Sequence, residues 1–221
     1  MSYGGESKFM KKAYAAYAGF LRRLVNEGGV WKLKKGEVVV ASLIGDKPRT
    51  MSPEEYRNAT GQVALSFHVH IDAVDGFRKN RALSSKTVSS FDREFRNRGF
   101  LLNEPIYGVL LCDGMLENES GVTVVTRSGV FTESICEVET NLELSIVVIG
   151  GNHRFKALKA LGPDFLLGCD DSKVDQHLTG TYLRGNSHGG YYPMKIICCP
   201  PDVKAMVEWA SLDNIKNNVS C

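Results

Sequence analysis

Hydrophobic and polar residues alternate over residues 66–73, where Phe67 and Val69 share one face and His68 and His70 the other. A period of two is typical of a strand with one buried face. Residues 144–149 are instead almost all apolar, which favours a strand covered on both faces. The same criteria predict further strands at residues 36–44, 105–112, 122–126 and 193–199.

Apolar residues recur at helical spacing elsewhere, which predicts helices at residues 8–26, 85–98, 152–161 and 202–212. The apolar face of the first helix comprises Phe9, Tyr14, Tyr17, Phe20, Leu21, Leu24 and Val25. Gly28 and Gly29 are expected to end that helix. Because it also carries lysine and arginine, it either packs on the domain or binds a membrane or a nucleic acid. Strands and helices together predict an α+β fold.

The organisation of these elements predicts two parts. Residues 1–60 form an N-terminal extension with a helix, a strand and a polar linker, and residues 61–221 form the main domain. Within the main domain, residues 164–192 show little periodicity and many Gly, Asp and Ser residues. A loop of this length is usually functional, so it is expected to be an insertion that acts as a lid. A metal site in it is the alternative, from Cys169, Asp170, Asp171, Asp175, His177 and His188.

Composition narrows the class of protein. The 221 residues are 43% hydrophobic and 24% charged, with a net charge of +2, which excludes a mostly disordered or fibrous chain. A strongly cationic protein that coats nucleic acid is not expected, although a local basic patch is compatible with this charge. No apolar run is long enough to span a membrane. The six cysteines are irregularly spaced and include no CxxC pair, so we expect reduced thiols and an intracellular, cytoplasmic protein.

The segment LSIVVIGGNHRFKALKALG, residues 144–162, carries the clearest chemistry. A buried strand is expected to run into Gly150 and Gly151 and then directly into a helix, whose first amides and dipole favour an anion. Arg154 offers a fork of donors to phosphate oxygens, while Asn152 can cap the helix and His153 can donate to the same group. These residues predict a phosphate site. The alternative is a tight strand–helix turn with an exposed arginine.

Gly151, Arg154 and Ala157 form a GxxRxxA pattern after a strand. In this the chain resembles the ParB/sulfiredoxin-like superfamily, over roughly residues 64–218. The resemblance implies a mixed sheet with packed helices and a site for nucleotide phosphates. It also implies that the basic loop with Arg78 and Arg81 contributes to phosphate binding.

The family's E-N-x-x-R motif, which helps to hold magnesium, is matched by Asp213 and Asn214. The resemblance therefore implies Mg²⁺ as a cofactor at these two residues. The arginine that ends the motif is replaced by Asn217, which weakens the case for nucleotide hydrolysis.

Two departures from the family limit the function. Sulfiredoxins have a nucleophilic cysteine where this chain has Asn152, and an amide cannot supply a thiolate, so sulfinic-acid reduction is not expected. The chain also stops where the family's helix-turn-helix DNA-binding domain would begin, so site-specific DNA binding is not implied.

The leading hypothesis is a domain that binds a nucleoside triphosphate or diphosphate, with NTPase or small-molecule kinase activity; whether it is an enzyme stays open. A general base would then be Asp72, Asp75 or His153. The alternatives are a non-catalytic module that binds a nucleotide or nucleic acid, and a ParB-like nuclease. The phosphate-site prediction fails if the Arg154 guanidinium is held by an internal carboxylate and the protein itself satisfies the first amides of the helix.

Overall fold

The computed structural model describes residues 8–58, 63–76, 82–111, 145–168, 181–185 and 189–198. The helices within these ranges are α1 (Lys8–Arg23), α2 (Pro53–Asn58), α3 (Ser85–Asn97) and α4 (Asn152–Leu161), with a short 3-10 helix at Ile71–Ala73. The strands are β1 (Val25–Glu27), β2 (Val30–Lys35), β3 (Val38–Leu43), β4 (Val63–His70), β5 (Val74–Gly76), β6 (Phe100–Leu101), β7 (Ile106–Leu111), β8 (Ser145–Gly150), β9 (Tyr182–Leu183) and β10 (Tyr191–Cys198).

Among the described residues, eight strands form one mixed sheet in the order β1-β2-β3-β4-β10-β7-β8-β5. β10 runs parallel to β7 and β5 runs parallel to β8, whereas the other neighbouring pairs are antiparallel. β6 and β9 form a separate antiparallel pair. The predicted α+β class is therefore confirmed.

The N-terminal strands belong to this same sheet. β3 pairs with β4, and Ser42 lies opposite His68 in that pair. The predicted boundary near residue 60 thus falls between two strands of one hydrogen-bonded sheet.

The main core lies between one face of the sheet and the helices. Phe20 of α1 contacts Phe67 of β4 edge to face, with ring centroids 5.9 Å apart. Phe95 of α3 packs near Phe100, which in turn packs near Tyr192 of β10. The buried side of α4 belongs to the same cluster. α1 is therefore packed on the domain, as one of the two interpretations of its sequence predicts.

The strand β8 is covered on both faces, which confirms the prediction from its apolar run. Ile146 and Val148 belong to the main core cluster, and Val147 and Ile149, which point the other way, are no more than 2% exposed. A strand of this kind fixes its register strongly, because neither face tolerates a polar residue.

The sheet curves around α4. In the strand order, β10, β7 and β8 separate β4 from β5, which would place β4 and β5 about 19 Å apart in a flat sheet at ~4.8 Å per strand. Yet only the four steps from His70 to Val74 join them, and these reach at most about 14 Å. The sheet must therefore bend, and the 3-10 helix between the two strands packs against α4.

The N-terminal hairpin differs from its prediction. The helix predicted to reach residue 26 ends at Arg23, and Val25 instead pairs with Lys32 in β1 and β2. Gly28 and Gly29 have φ of 61° and 83° and turn this hairpin rather than ending a helix. The prediction was wrong here because helical spacing is a local signal, whereas Val25 takes its conformation from a partner strand. The strand β2 was not predicted.

Other predicted elements agree with the structure where it describes them. The helix predicted at residues 152–161 is α4 with the same bounds, and the strand predicted at 105–112 is β7. The strand predicted at 193–199 is β10, which begins earlier, at Tyr191 inside the predicted insertion. The strand at 122–126, the helix at 202–212 and most of the insertion lie outside the described residues.

Candidate functional site

The turn between β8 and α4 is built from two glycines. Gly150 ends β8, and Gly151 is the N-cap of α4 with φ of 78°, in the left-handed region that favours glycine. A Cβ at position 151 would lie 3.3 Å from both Nη2 of Arg154 and Cγ1 of Ile106, a tight contact that requires these neighbours to shift by a few tenths of an ångström. The amide of Phe155 donates to the Gly151 carbonyl (2.9 Å), which closes the first helical turn. No side-chain hydrogen bond caps this helix at Gly151.

His153 joins the start of α4 to the start of α3. Its Nε2 accepts a hydrogen bond from the backbone N–H of Ser84 (2.9 Å), and the residue is buried. Because Nε2 accepts, the neutral ring carries its proton on Nδ1. Ser84 is in turn the N-cap of α3, where its hydroxyl accepts from the Thr87 N–H (3.3 Å). Two helix N-termini, each with a positive partial charge, therefore lie beside each other.

Arg154 is held by the segment that precedes β7. Its Nη1 donates to the backbone carbonyl of Glu104 and to Oε2 of the same residue (3.0 Å), and Nη2 donates to the Pro105 carbonyl (3.4 Å). The arginine side chain is 11% exposed, whereas that of Glu104 is 56% exposed. These contacts engage both terminal nitrogens of the guanidinium. The sequence predicts phosphate oxygens as the partners of these nitrogens, whereas the structure shows carbonyl and carboxylate oxygens of the protein.

A second carboxylate, Glu94 of α3, interacts electrostatically with this arginine. Burial raises the pKa of Glu94 above its usual range, and the charge of Glu104 adds to the rise. Arg98 and Arg154 oppose it. A carboxylate that is partly buried near another acid is more easily protonated than one in water. The start of α4 is therefore bordered by a group of opposed charges.

The three predicted general bases do not all lie at the start of α4. Asp72 is exposed in the 3-10 helix, whose Ile71 amide donates to the Gly190 carbonyl (3.0 Å), and Gly190 lies against Pro163 just after the end of α4. A helix of this length extends about 15 Å, so the structure brings Asp72 to the opposite end of α4 from His153. Asp75 lies in β5 opposite Val147, and its side chain is outside the described part of the chain.

The remaining predicted site residues fall outside the described ranges. Arg78 and Arg81 lie in the stretch between β5 and Ala82, and the predicted magnesium ligands Asp213 and Asn214 lie beyond residue 198. Asn152, the first residue of α4, is partly exposed. The structure thus brings Gly150, Gly151, Asn152, His153 and Arg154 together in one turn and the helix that it opens.

Two histidines two residues apart on one strand face, such as His68 and His70 of β4, can bind a metal ion. His70 accepts from the Asp72 amide through Nδ1 (3.3 Å) and contacts the ring of Tyr191 edge to face. Among the described residues, no group of three or more His, Cys, Asp or Glu is arranged to hold a metal ion. No helix in the described ranges is long and apolar enough to cross a membrane.

Two residues at this site were missed from the sequence. Ser84 carried a local signal, because a serine directly before a helix commonly caps it. Glu104 carried none, since it lies fifty residues from Arg154 along the chain and its carbonyl is engaged as well as its carboxylate.

Comparison with models of known families, with curated proteins and with solved structures found no match to this chain.

Proposed function

We propose that the adjoining N-termini of α3 and α4 bind the phosphate groups of a nucleoside diphosphate or triphosphate, in a domain with a ParB/sulfiredoxin-like fold. The observation that carries the proposal is the hydrogen bond from the Ser84 amide to His153, which sets two helix N-termini side by side. A single helix N-terminus already favours an anion, and two of them add their partial charges. The order of β4, α3, β7, β8, α4 and β10 supports the fold part of the proposal.

The two ends of the basic loop support the same location. β5 and β8 are parallel neighbours, so their carboxyl ends face the same edge of the sheet, and Gly76 lies beside Val148 near the end of β8. After the basic loop, the Ser84 amide donates a hydrogen bond to His153 in the first turn of α4. The loop that carries Arg78 and Arg81 therefore begins and ends next to the start of α4.

Arg154 has a supporting role in this proposal. One half of the condition that would defeat the phosphate site is met, because a carboxylate and two carbonyls hold the guanidinium. The N-cap of α4 is a glycine, so no side chain at that position stands between a phosphate and the first turn of the helix. The phosphate is therefore proposed to bind the backbone at the two helix starts, with Arg154 holding the turn in place.

A charge placed at Asn152 tests the site without disturbing Arg154. Asn152→Asp keeps the size of the side chain, and an acidic residue in the first turn leaves the helix equally or more stable. The same charge repels a phosphate. A nucleotide or inorganic pyrophosphate at a hundred times its Kd should stabilise the unmodified protein by about 2.7 kcal/mol in a thermal shift assay, and Asn152→Asp should remove that shift.

The matched control is Asn26→Asp, which makes the same change in the hairpin of β1, the strand farthest from β8 on that side of the sheet. There the side chain accepts from the Gly29 amide (3.1 Å), which a carboxylate does equally well. This variant should keep the nucleotide shift. If no nucleotide or pyrophosphate shifts the unmodified protein, or if both variants behave alike, the proposed site is wrong.

Binding without turnover is the second candidate function. It is favoured because Asp72 lies at the opposite end of α4 and His153 Nε2 already accepts from the Ser84 amide, so neither of these two predicted bases is placed to take a proton at the start of α4. Chromatography of nucleotide products after incubation with Mg²⁺ separates hydrolysis or transfer from binding alone.

A further inference from the structure

The helix α1 has a second side that the core does not use. Its inner side includes Tyr17, Phe20 and Leu21, which are no more than 2% exposed and belong to the core cluster. Arg22 and Arg23, at the end of the helix, are exposed. Packing on the domain therefore fixes the orientation of α1 and directs its other side away from the core.

All the charged residues of α1 are basic and share that other side. The sixteen residues of the helix include no acidic residue and five basic ones, which we call the basic stripe: Lys8, Lys11, Lys12, Arg22 and Arg23. At about 100° per residue, these five positions fall within an arc of about 120° whose centre lies opposite Tyr17. The spacing of the cations therefore places them together on the side of the helix that faces away from the core.

The elements that contact α1 do not cancel this charge. The whole chain has a net charge of +2, so the residues outside α1 carry −3 between them. Of the neighbouring elements, β10 contains no acidic residue, and α2 carries Glu54, Glu55 and Arg57. Glu55 is paired with Arg49, so the charges at α2 sum to zero. Glu6, which precedes α1 outside the described residues, is one negative charge against five positive ones.

The middle of the basic stripe is open and contains small residues. Ala15 and Gly19 lie on the same side of α1, between the three lysines at one end and the two arginines at the other. A Cβ added at Gly19 would have a single neighbour within 4 Å among the described residues, Nη2 of Arg22 at 4.0 Å. A partner can therefore approach the helix backbone closely between the two groups of cations.

From these observations we infer that the basic stripe binds the phosphate backbones of duplex DNA without reading its sequence. Lys11 and Arg22 are separated by eleven positions, which is about 16 Å along a helix. The major groove of B-DNA is about 12 Å wide, so long basic side chains at the two ends of α1 can reach the backbones on both sides of it. The alanine and glycine between them offer no side-chain hydrogen bond to base edges, so the contacts carry no sequence information.

Two other anionic partners match these observations less well. A helix that binds a lipid surface inserts its apolar side chains into the membrane, and those of α1 are already buried in the core. Duplex RNA has a deep and narrow major groove that side chains cannot enter in the same way. The inference does not depend on nucleotide binding at the start of α4.

Fluorescence anisotropy of the full chain with two labelled DNA duplexes of unrelated sequence tests the inference. Binding to both is expected at about 50 mM salt, with a log–log salt slope of about −0.9 for each contacted phosphate. Arg22→Glu and Lys11→Glu should each weaken binding by about tenfold or more, because each reverses a charge at one end of the stripe. Gly19→Glu should have a similar effect at the centre. It should also keep the fold, because space is open there and glutamate favours a helix more than glycine does.

Lys195→Glu is the matched control, since it makes the same charge change at an exposed position on the opposite face of the sheet. Lys195 alternates with Met194 and Ile196, which belong to the core against which α1 packs. This variant should keep its affinity for DNA within about twofold of the unmodified protein. Circular dichroism confirms that each variant is folded, and Gly19→Glu alone suffices if the other two stripe variants are not.

Sedimentation with phosphatidylserine vesicles separates binding to DNA from binding to an anionic membrane. Four results would overturn the inference: no binding to either duplex, binding to the vesicles alone, stripe variants that bind DNA as the unmodified protein does, or an equal loss in Lys195→Glu. A preference of about tenfold or more for one duplex would overturn the part of it that concerns sequence, since contacts to phosphates alone do not discriminate between bases.

Discussion

The contacts of Arg154 predict that its replacement by alanine destabilises the fold far more than removal of its carboxylate partner. Arg154→Ala leaves the Glu104 carbonyl, next to a side chain only 11% exposed, without its charged donor. A hydrogen bond to a charged group contributes about 1.5–3 kcal/mol, and this one is partly buried, so water replaces the guanidinium only in part. The bond to the Pro105 carbonyl is long at 3.4 Å and adds little. The expected loss is about 2–4 kcal/mol of unfolding free energy.

Glu104→Ala removes only the carboxylate, which is 56% exposed. An exposed ion pair contributes about 0–1 kcal/mol, so this variant should lose no more than that. Arg154→Lys should recover little of the arginine's effect, because an ammonium group lacks the planar fork that reaches two carbonyls.

Urea unfolding followed by circular dichroism measures these differences, provided that the slopes m agree among the variants. The double variant Arg154→Ala/Glu104→Ala then gives the coupling between the two side chains, expected at about 0–1 kcal/mol. If Glu104→Ala costs as much as Arg154→Ala, or if Arg154→Ala costs less than about 1 kcal/mol, the carbonyl contacts do not hold the turn as described.

Three further predictions concern the turn and two carboxylates. Gly151→Ala should lower the free energy of unfolding by about 1–2 kcal/mol, because alanine is strained in the left-handed region, and by a further steric amount because its Cβ would be crowded. Gly185→Ala has φ of 72° but no atom near its Cβ, so it should lose only the contribution from the left-handed backbone. Equal losses in urea unfolding would contradict the close approach at Gly151. Because burial raises the pKa of Glu94, its stabilising contribution is present below pH 4.5 and is lost as pH rises through the raised value; Glu94→Gln should therefore gain stability relative to the unmodified protein as pH rises, and a constant difference refutes this. Hydrogen bonds from Arg49 and Ser52 lower the pKa of Glu55 to about 2, so its contribution is present above pH 4.5 and is lost as pH falls towards 2; melting temperatures should fall less steeply over that range in Glu55→Gln.

Much of the local structure near the candidate site could be predicted from the sequence. The apolar run before Gly150 predicts β8, and the helical spacing after Gly151 predicts α4 with its observed bounds. These signals are local, because a strand covered on both faces and a helix with one buried side each leave a periodic pattern in neighbouring residues. The alternation around Phe67 predicts β4 for the same reason.

The partners of the site residues depend on the tertiary structure. Arg154 reaches Glu104 across fifty positions of sequence, and His153 reaches Ser84 across sixty-nine. The sequence predicts that the guanidinium faces a phosphate, because no residue near Arg154 along the chain indicates that a backbone carbonyl will be its acceptor. Val25 shows the same limit, since the strand that pairs with it overrides a helical pattern.

The sequence by itself determined which segments become β8 and α4 and that a glycine turn joins them. Only the tertiary structure decided that the sheet curves around α4, that two helix N-termini adjoin, and that Arg154 meets Glu104. The physical reason is that periodicity records whether a side chain is buried, whereas the identity of its neighbour is set by how distant segments pack.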